Sequence, residues 1–407
     1  MSFLFAWRYF KAKKSTNAIN VISWISVAAI VIGTAALILV LSVFNGFEGL
    51  VKSLYSSFYT DLKILPPEGK NINVTAEQLQ QLKNVKGVKN YSLVVEEKAL
   101  VQSGDNQSIV HLKGVDDNYR YTTGVANHII RGDYDLGTEN SPKLILGEGV
   151  ESALGIQADR NIFLLNIYLP RKSDKEQLDA LNDISNDTIR SVAAFRIQQD
   201  FDTKYGITNI AFAKKALRLG PDAYSGVEIS LTDPGTAEQT QKQVQKIFGK
   251  GYLVQTRYEQ NQGLYSVMNM ERWIIYGVLS LIMVVAAFNM IGALTMLVLE
   301  KQKDIGVLHA LGANSNFIQR IFLSEGILLA LIGTAAGMFL AYTIIILQLN
   351  FHLIELKPGS FLIDYFPVEP HLFDFLLVTA TVFVIAILAS WFPSRKAAGQ
   401  RFALRAE

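Results

Sequence analysis

Cysteine is absent from this sequence, so the chain forms no disulfide, offers no thiolate to a metal and has no cysteine nucleophile. Histidine is scarce too. His111, His128, His309, His352 and His371 never fall at metal-ligand spacing, and neither H-E-x-x-H nor G-x-S-x-G occurs. A G-x-x-x-x-G-K-[ST] phosphate loop is also missing, which excludes ATP binding by that route; the glycines of Phe248-Gly249-Lys250-Gly251 lack the spacing. Charged residues are only 18% of the chain against 50% hydrophobic, and a net charge of +2 says nothing by itself. The adjacent acids Glu96-Glu97 and Asp116-Asp117 would point to opposite faces of a strand and read as solvated surface. Enzymatic chemistry finds no support in any of this, and the expectation is a non-catalytic chain.

What is present is apolar and long. Val21 to Phe44, Trp273 to Leu299, Gly326 to Leu347 and Phe375 to Phe392 contain no charged residue, and each is about long enough to span a bilayer as a helix. The first is too long for a signal peptide and reads as a retained span. The expected class is a membrane protein of four transmembrane α-helices, with a large α+β extracytoplasmic domain inserted between the first and second. Expected bounds are an N-terminal cytoplasmic or interfacial helix at 1–20, spans at 21–44, 273–299, 321–349 and 373–393, and the domain at 45–270. A cytoplasmic coupling segment at 300–320, a short outer loop at 350–372 and a tail at 394–407 complete the chain.

Basic residues set the orientation. Arg8, Lys11, Lys13 and Lys14 precede the first span, Lys301, Lys303 and Arg320 lie between the second and third, and Arg395, Lys396, Arg401 and Arg405 follow the fourth. The loop between the third and fourth has only Lys357. By the positive-inside rule both termini are expected in the cytoplasm and the large domain outside.

Within that domain a pattern recurs. Asp61 to Leu65 is strand-like, Thr75-Ala76-Glu77-Gln78 opens a helix stopping at Gly87, and Val88 to Val101 is strand-rich. Gly226 to Leu231 is strand-like, the same tetrapeptide at Thr236-Ala237-Glu238-Gln239 opens a helix stopping near Gly249, and Tyr252 to Tyr258 is extended. Threonine with glutamine three residues on can cap a helix start, and glycine suits the left-handed residue after its end. Two β-α-β units packed together are expected, with a mostly β insertion at about 115–215. Inside the insertion Pro170 to Asn186 reads as a solvated arm between the strands Ile162 to Leu169 and Thr188 to Arg196. The spacing of Phe44, Phe47, Val51, Leu54 and Phe58 continues the first span as a helix beyond the membrane.

After the second span the chain turns apolar again, too briefly to cross a bilayer. Asp304 is a candidate N-cap, Ile305 to Leu311 give two turns, Gly312 a stop, and Asn314 or Ser315 a cap for the third span. Ile305, Val307, Leu308 and Leu311 make this helix apolar, while Gly306, Ala310 and Gly312 permit close approach, which suits a groove on a partner.

The stretch MLVLEKQKDIGVLHALGANSNFIQRIFLSEGILLALIGTAAG, Met296 to Gly337, resembles the signature of the FtsX/MacB-type permeases of ATP-binding cassette transporters, and the ending Ser394 to Ala398 is similar to theirs. Ile19 to Glu48, Ser225 to Pro234 and Asn269 to Leu294 narrow the likeness to the lipoprotein-releasing branch. The resemblance implies an inner-membrane, multi-pass permease subunit that extracts lipoproteins and passes them to a periplasmic carrier. Its implied partners are an ABC ATPase dimer, a second permease subunit, the carrier, the lipoproteins and membrane lipid, with no nucleic acid. No cofactor is implied for this chain, since ATP and Mg would sit on the ATPase. The implied ATPase-coupling residues are Asp304, Ile305, Gly306, Leu308, Ala310, Leu311 and Gly312. Phe44, Phe47, Met268 and Trp273 would contact the lipoprotein, and Tyr168, Leu169, Pro170 and Arg171 would form the hook that engages the carrier. Rival readings within the family are a MacB-like efflux permease and an FtsX-like relay of ATPase motion to a periplasmic partner.

Overall fold

The computed structural model describes residues 17–160, 164–170, 184–356 and 365–399. Expectations for 1–16, for Arg171 and for the end of the tail lie outside these. The chain divides into two units, Met1–Leu50 with Ser266–Glu407, and Val51–Tyr265.

The first unit is helical. Its long helices are Asn17–Phe58, Gln262–Glu300, Ser315–Phe351 and Leu372–Ala398, each long and apolar enough to cross a membrane. The first extends well past Phe44, as the aromatic spacing predicts, because no glycine-plus-proline break follows it. Asn314 caps the third, its side chain accepting from the Asn316 N–H at 2.9 Å, and His352 in the left-handed region ends it. Leu37, Ile38 and Leu41 of the first helix share one core with Ala330 and Ile345 of the third and Val378 of the fourth. Glycines bring backbones together there: a Cβ at Gly333 would overlap Ile30, and one at Gly46 would overlap the backbone of Pro367.

The second unit is α+β. Strands β1 (Leu62–Leu65), β2 (Ile72–Asn73), β3 (Val88–Ser103), β4 (Asn106–Val115), β5 (Ile129–Gly132), β6 (Lys143–Gly147), β7 (Leu164–Pro170), β8 (Ile184–Phe195), β9 (Tyr205–Asn209), β10 (Ala223–Tyr224), β11 (Gly226–Leu231) and β12 (Leu253–Thr256) follow in order. β2 and β10 form a small ribbon, and the other ten make one sheet.

At one end of the sheet the order is β12-β1-β11-β3, every pair antiparallel. The two β-α-β units are therefore interleaved, each spanning one strand of the other. Their helices, Ala76–Lys83 and Ala237–Phe248, supply Leu82, Val244 and Phe248 to a core with Leu62, Ile64, Val227 and Ile229. Thr75 and Gln78 form the expected reciprocal cap. Thr236 does not: Asp233 and Pro234 open a 3₁₀ turn first, and the Thr236 hydroxyl donates to the Asp233 carbonyl instead. Beyond β12 the chain is also not extended, since Thr256 and Glu259 cap a short helix at Arg257–Gln260.

The insertion is more than an appendage. β3 runs on past β11 and pairs with both β4 and β7, and β4-β9-β6-β8-β7 then leads back to β3. Six strands thus close a barrel that borrows β3 from the first half of the sheet. Its interior holds Val101, Val110, Leu144, Leu165, Ile167 and Ile189, sealed on one side by Phe212 and Ala213 of the helix Ile210–Leu217. Reading it as mostly β over 115–215 therefore starts it too late and misses its helices.

Candidate functional site

The short helix runs from Gln302 to Ala310, starting three residues before the Ile305 that an Asp304 cap would set. Lys301 stands at the N-cap with no capping bond from its side chain, which instead pairs at 3.4 Å with Asp304, exposed in the first turn. The Gly312 stop is as expected, with φ +89° and its N–H donating to the His309 carbonyl at 3.0 Å. The apolar residues divide between two faces. Ile305, 1% exposed, packs with Leu297, Val298, Ile318, Phe322 and Ala397, and so pins the helix to the ends of the second, third and fourth long helices. Leu308 and Gly306 are half-buried, while Val307 is 60% and Leu311 80% exposed beside exposed Ala310 and Gly312. Ile305 is thus an internal anchor, a correction to its place among the docking residues, and of the four apolar residues Val307 and Leu311 are the exposed ones.

At the opposite ends of these helices, a cleft of about 90 Å³ is lined by Leu41, Asn269, Arg272, Trp273, Tyr276 and Phe373. Of the four expected lipid-contacting residues only Trp273 lines it. Phe44 is half-buried, Met268 is buried, and Phe47 meets Phe366 edge-on with centroids 5.4 Å apart. Sequence reading missed Asn45, Arg272 and Asp374. Asp374 is fully buried; its carboxylate accepts from Arg272 Nη2 and from Asn45 Nδ2, each at 2.6 Å. An acid in the first turn of an apolar helix was the available signal, but its partners lie on two other helices.

In the second unit, Tyr168, Leu169 and Pro170 belong to β7 and not to a free arm. Leu169 is fully buried in the barrel core, Tyr168 donates to Gln102 Oε1 at 3.3 Å, and Pro170 lies opposite Ile184 in the β8 ladder. Leu169 is thereby withdrawn as a contact residue.

Of the acids read as solvated surface, Asp117 is exposed as expected, while Glu96 and Asp116 are corrected. Asp116 accepts from the Ser92 hydroxyl at 2.6 Å and the Leu93 N–H at 3.1 Å, and Glu97 pairs with Lys70 at 2.7 Å. Glu96 joins an ionic cluster across four strands. Lys113, 2% exposed, bonds Glu228 at 2.7 Å and lies 4.9 Å from the Phe58 ring centroid and 5.0 Å from that of Tyr119. Lys63 stands 3.3 Å from Glu228 and 3.7 Å from Glu96, which His111 approaches at 3.5 Å. Burial alone would raise the Glu96 carboxyl, but Lys63, the His111 bond and Lys113 together outweigh it and hold it at about 2.

Asp202 behaves oppositely. Burial pushes it up to about 6 against the opposing hydrogen bond from the Ile197 N–H. An unfolded aspartate titrates near about 4, so between there and about 6 the folded chain binds more protons, and stability falls as pH rises through that window. Asp202→Asn is expected to remove this decline, on the order of 1 kcal/mol after solvent screening, in melts of the full chain at pH 4, 5, 6 and 7. Glu96 has the reverse sign, and its contribution is lost as pH falls from about 4 through about 2.

Among known proteins, the family model described as MacB-like periplasmic core domain matches residues 23–247, more than half of the chain, and that described as FtsX-like permease C-terminal matches 276–401. The lipoprotein-releasing system transmembrane protein LolE of Haemophilus influenzae is 26% identical, covering 97% of this chain and 96% of that protein. LolC of the same system in Neisseria meningitidis is 24% identical over 96% and 95%. The periplasmic region of MacB from Actinobacillus actinomycetemcomitans aligns with 53% of this chain and 98% of that one, at 9% identity and a TM-score of 0.36. Two family models that between them run from the first apolar helix to the last leave one assignment: the chain belongs to the FtsX-like permeases that carry a MacB-like periplasmic core domain.

Proposed function

We propose that this chain is the permease subunit of an ABC transporter that extracts lipoproteins from the inner membrane and hands them to a periplasmic carrier. Similarity to LolE and LolC over nearly the full length of both partners is the observation that carries this reading. In it, both termini and the 302–310 helix are cytoplasmic, the α+β unit is periplasmic, and a second permease subunit completes the pathway. ATP and Mg are bound by a separate ATPase dimer docked on Val307 and Leu311, and this chain catalyses nothing itself. The apolar cleft beside Trp273 suits acyl chains. Each buried CH₂ contributes about 0.8 kcal/mol, so drawing a multiply acylated anchor from a bilayer needs both such a surface and the work of ATP hydrolysis.

Affinity purification of the full chain from its native membrane tests the proposal. The expected result is co-purification of an ABC ATPase with acylated lipoproteins that are released on adding ATP and a soluble carrier. Recovery of a cell-wall hydrolase or an outer-membrane tunnel protein, with no lipoprotein, would replace it by the relay or efflux reading.

A further inference from the structure

Glycines in the long helices of the first unit are of two kinds. Gly33, Gly326, Gly333 and Gly337 are packing residues, since a Cβ at each would overlap Met283, Ser390, Ile30 or Thr34. Gly277 and Gly292, both in the second helix, have nothing among the described residues within 4 Å of where a Cβ would stand. Packing within the unit does not require them, and an interior glycine weakens a helix and localises its bending. They bracket a change in how that helix is held. C-terminal to Gly292, Ala293, Leu294, Leu297 and Val298 are buried; from Ser266 to Tyr276 only Met268 is. That outer stretch is tied by polar contacts to the fourth helix, Arg272 to Asp374 at 2.6 Å and the Tyr276 hydroxyl to Thr381.

The tie is costly to build. Asp374 is fully buried, and Asn45, which bonds its other oxygen, leaves its own buried Oδ1 without a partner among the described residues. A charge placed among apolar helices is tolerated only when paired, and breaking the pair is a discrete event between two states. We propose that residues 266–276 form a gate against the fourth helix, latched by Arg272–Asp374 and Tyr276–Thr381 and hinged between Gly277 and Gly292. Its opening enlarges the cleft beside Trp273 and Phe373 to admit an acyl chain. The acyl chain rests on the lipoprotein-releasing reading; the hinge and the latch do not.

The cysteine-free chain permits a direct test. Spin labels at Asn269→Cys and Phe373→Cys, in full-length chain in nanodiscs without nucleotide, should give one dominant distance. Asp374→Asn should at least double the population at longer distances, Tyr276→Phe should shift it the same way without touching the buried charge, and Gly277→Ala with Gly292→Ala should reverse both shifts. A single unchanged distance in Asp374→Asn and Tyr276→Phe overturns the gate. So does loss of permease self-association in the double alanine variant, which would make the two glycines a packing surface between subunits. Because no ATPase is present, the gate can fail while lipoprotein co-purification succeeds, and the reverse.

Discussion

Val307→Asp combined with Leu311→Asp should abolish association with the ATPase while leaving the helical unit folded. Both side chains are more than half exposed on the outer face of the 302–310 helix, so an aspartate there meets water in the isolated chain and costs its fold little. Against an apolar groove the same two charges must be desolvated without partners, a penalty of a few kcal/mol and hence roughly a hundredfold or more in affinity. Pull-down of the ATPase and ATP-driven release should fall together. Ile305→Asp is the contrasting variant: its charge would enter the cluster with Leu297, Ile318 and Phe322, so the expected outcome is protein lost from the membrane. Normal ATPase recruitment by the double aspartate variant would remove this helix from the coupling.

Lys113→Ala is expected to destabilise the second unit by about 3–5 kcal/mol, because it takes the nearer of two cations from the buried Glu228 carboxyl group and leaves it Lys63 at 3.3 Å. The double variant Lys113→Met, Glu228→Leu should recover most of that loss, since it removes both charges and fills a similar volume. Hydrogen exchange of β4 and β11 amides in the full-length chain separates the two outcomes. Equal protection in the wild type and in Lys113→Ala would mean that the cluster is held by the aromatic rings around it rather than by the charge pair.

Contrast between these two regions shows what a sequence discloses. Four charge-free runs, Gly312 and the Thr75–Gln78 pair are local statements, each decided within a few residues by length, backbone freedom or a capping side chain, and they could be read directly. The three-residue shift in the start of the 302–310 helix is a local competition: the helix starts at Gln302 without a side-chain cap, so Asp304 becomes a first-turn residue paired to Lys301. Lys113 and Glu228 could not be read, because each looks like an ordinary polar strand residue until β3 takes β4 on one edge and β11 on the other. Asp374 is hidden the same way, its partners lying on helices far apart in sequence. Leu169 was misassigned for a related reason: next to a charged tract it resembles the base of a loop, and only closure of the barrel turns it inward.

That interleaved sheet also dictates when the second unit can fold. Leu62 lies opposite Ile229 on one side and Thr256 on the other, so β1, the first strand made, has no neighbour until nearly the whole unit exists. Loop-closure entropy must be met before those contacts form, which places this unit among slow folders dominated by distant pairings. Through that interval an apolar strand stays uncovered at both edges, a template for other chains. A growing chain kept apart from its neighbours until β12 is made escapes that pairing.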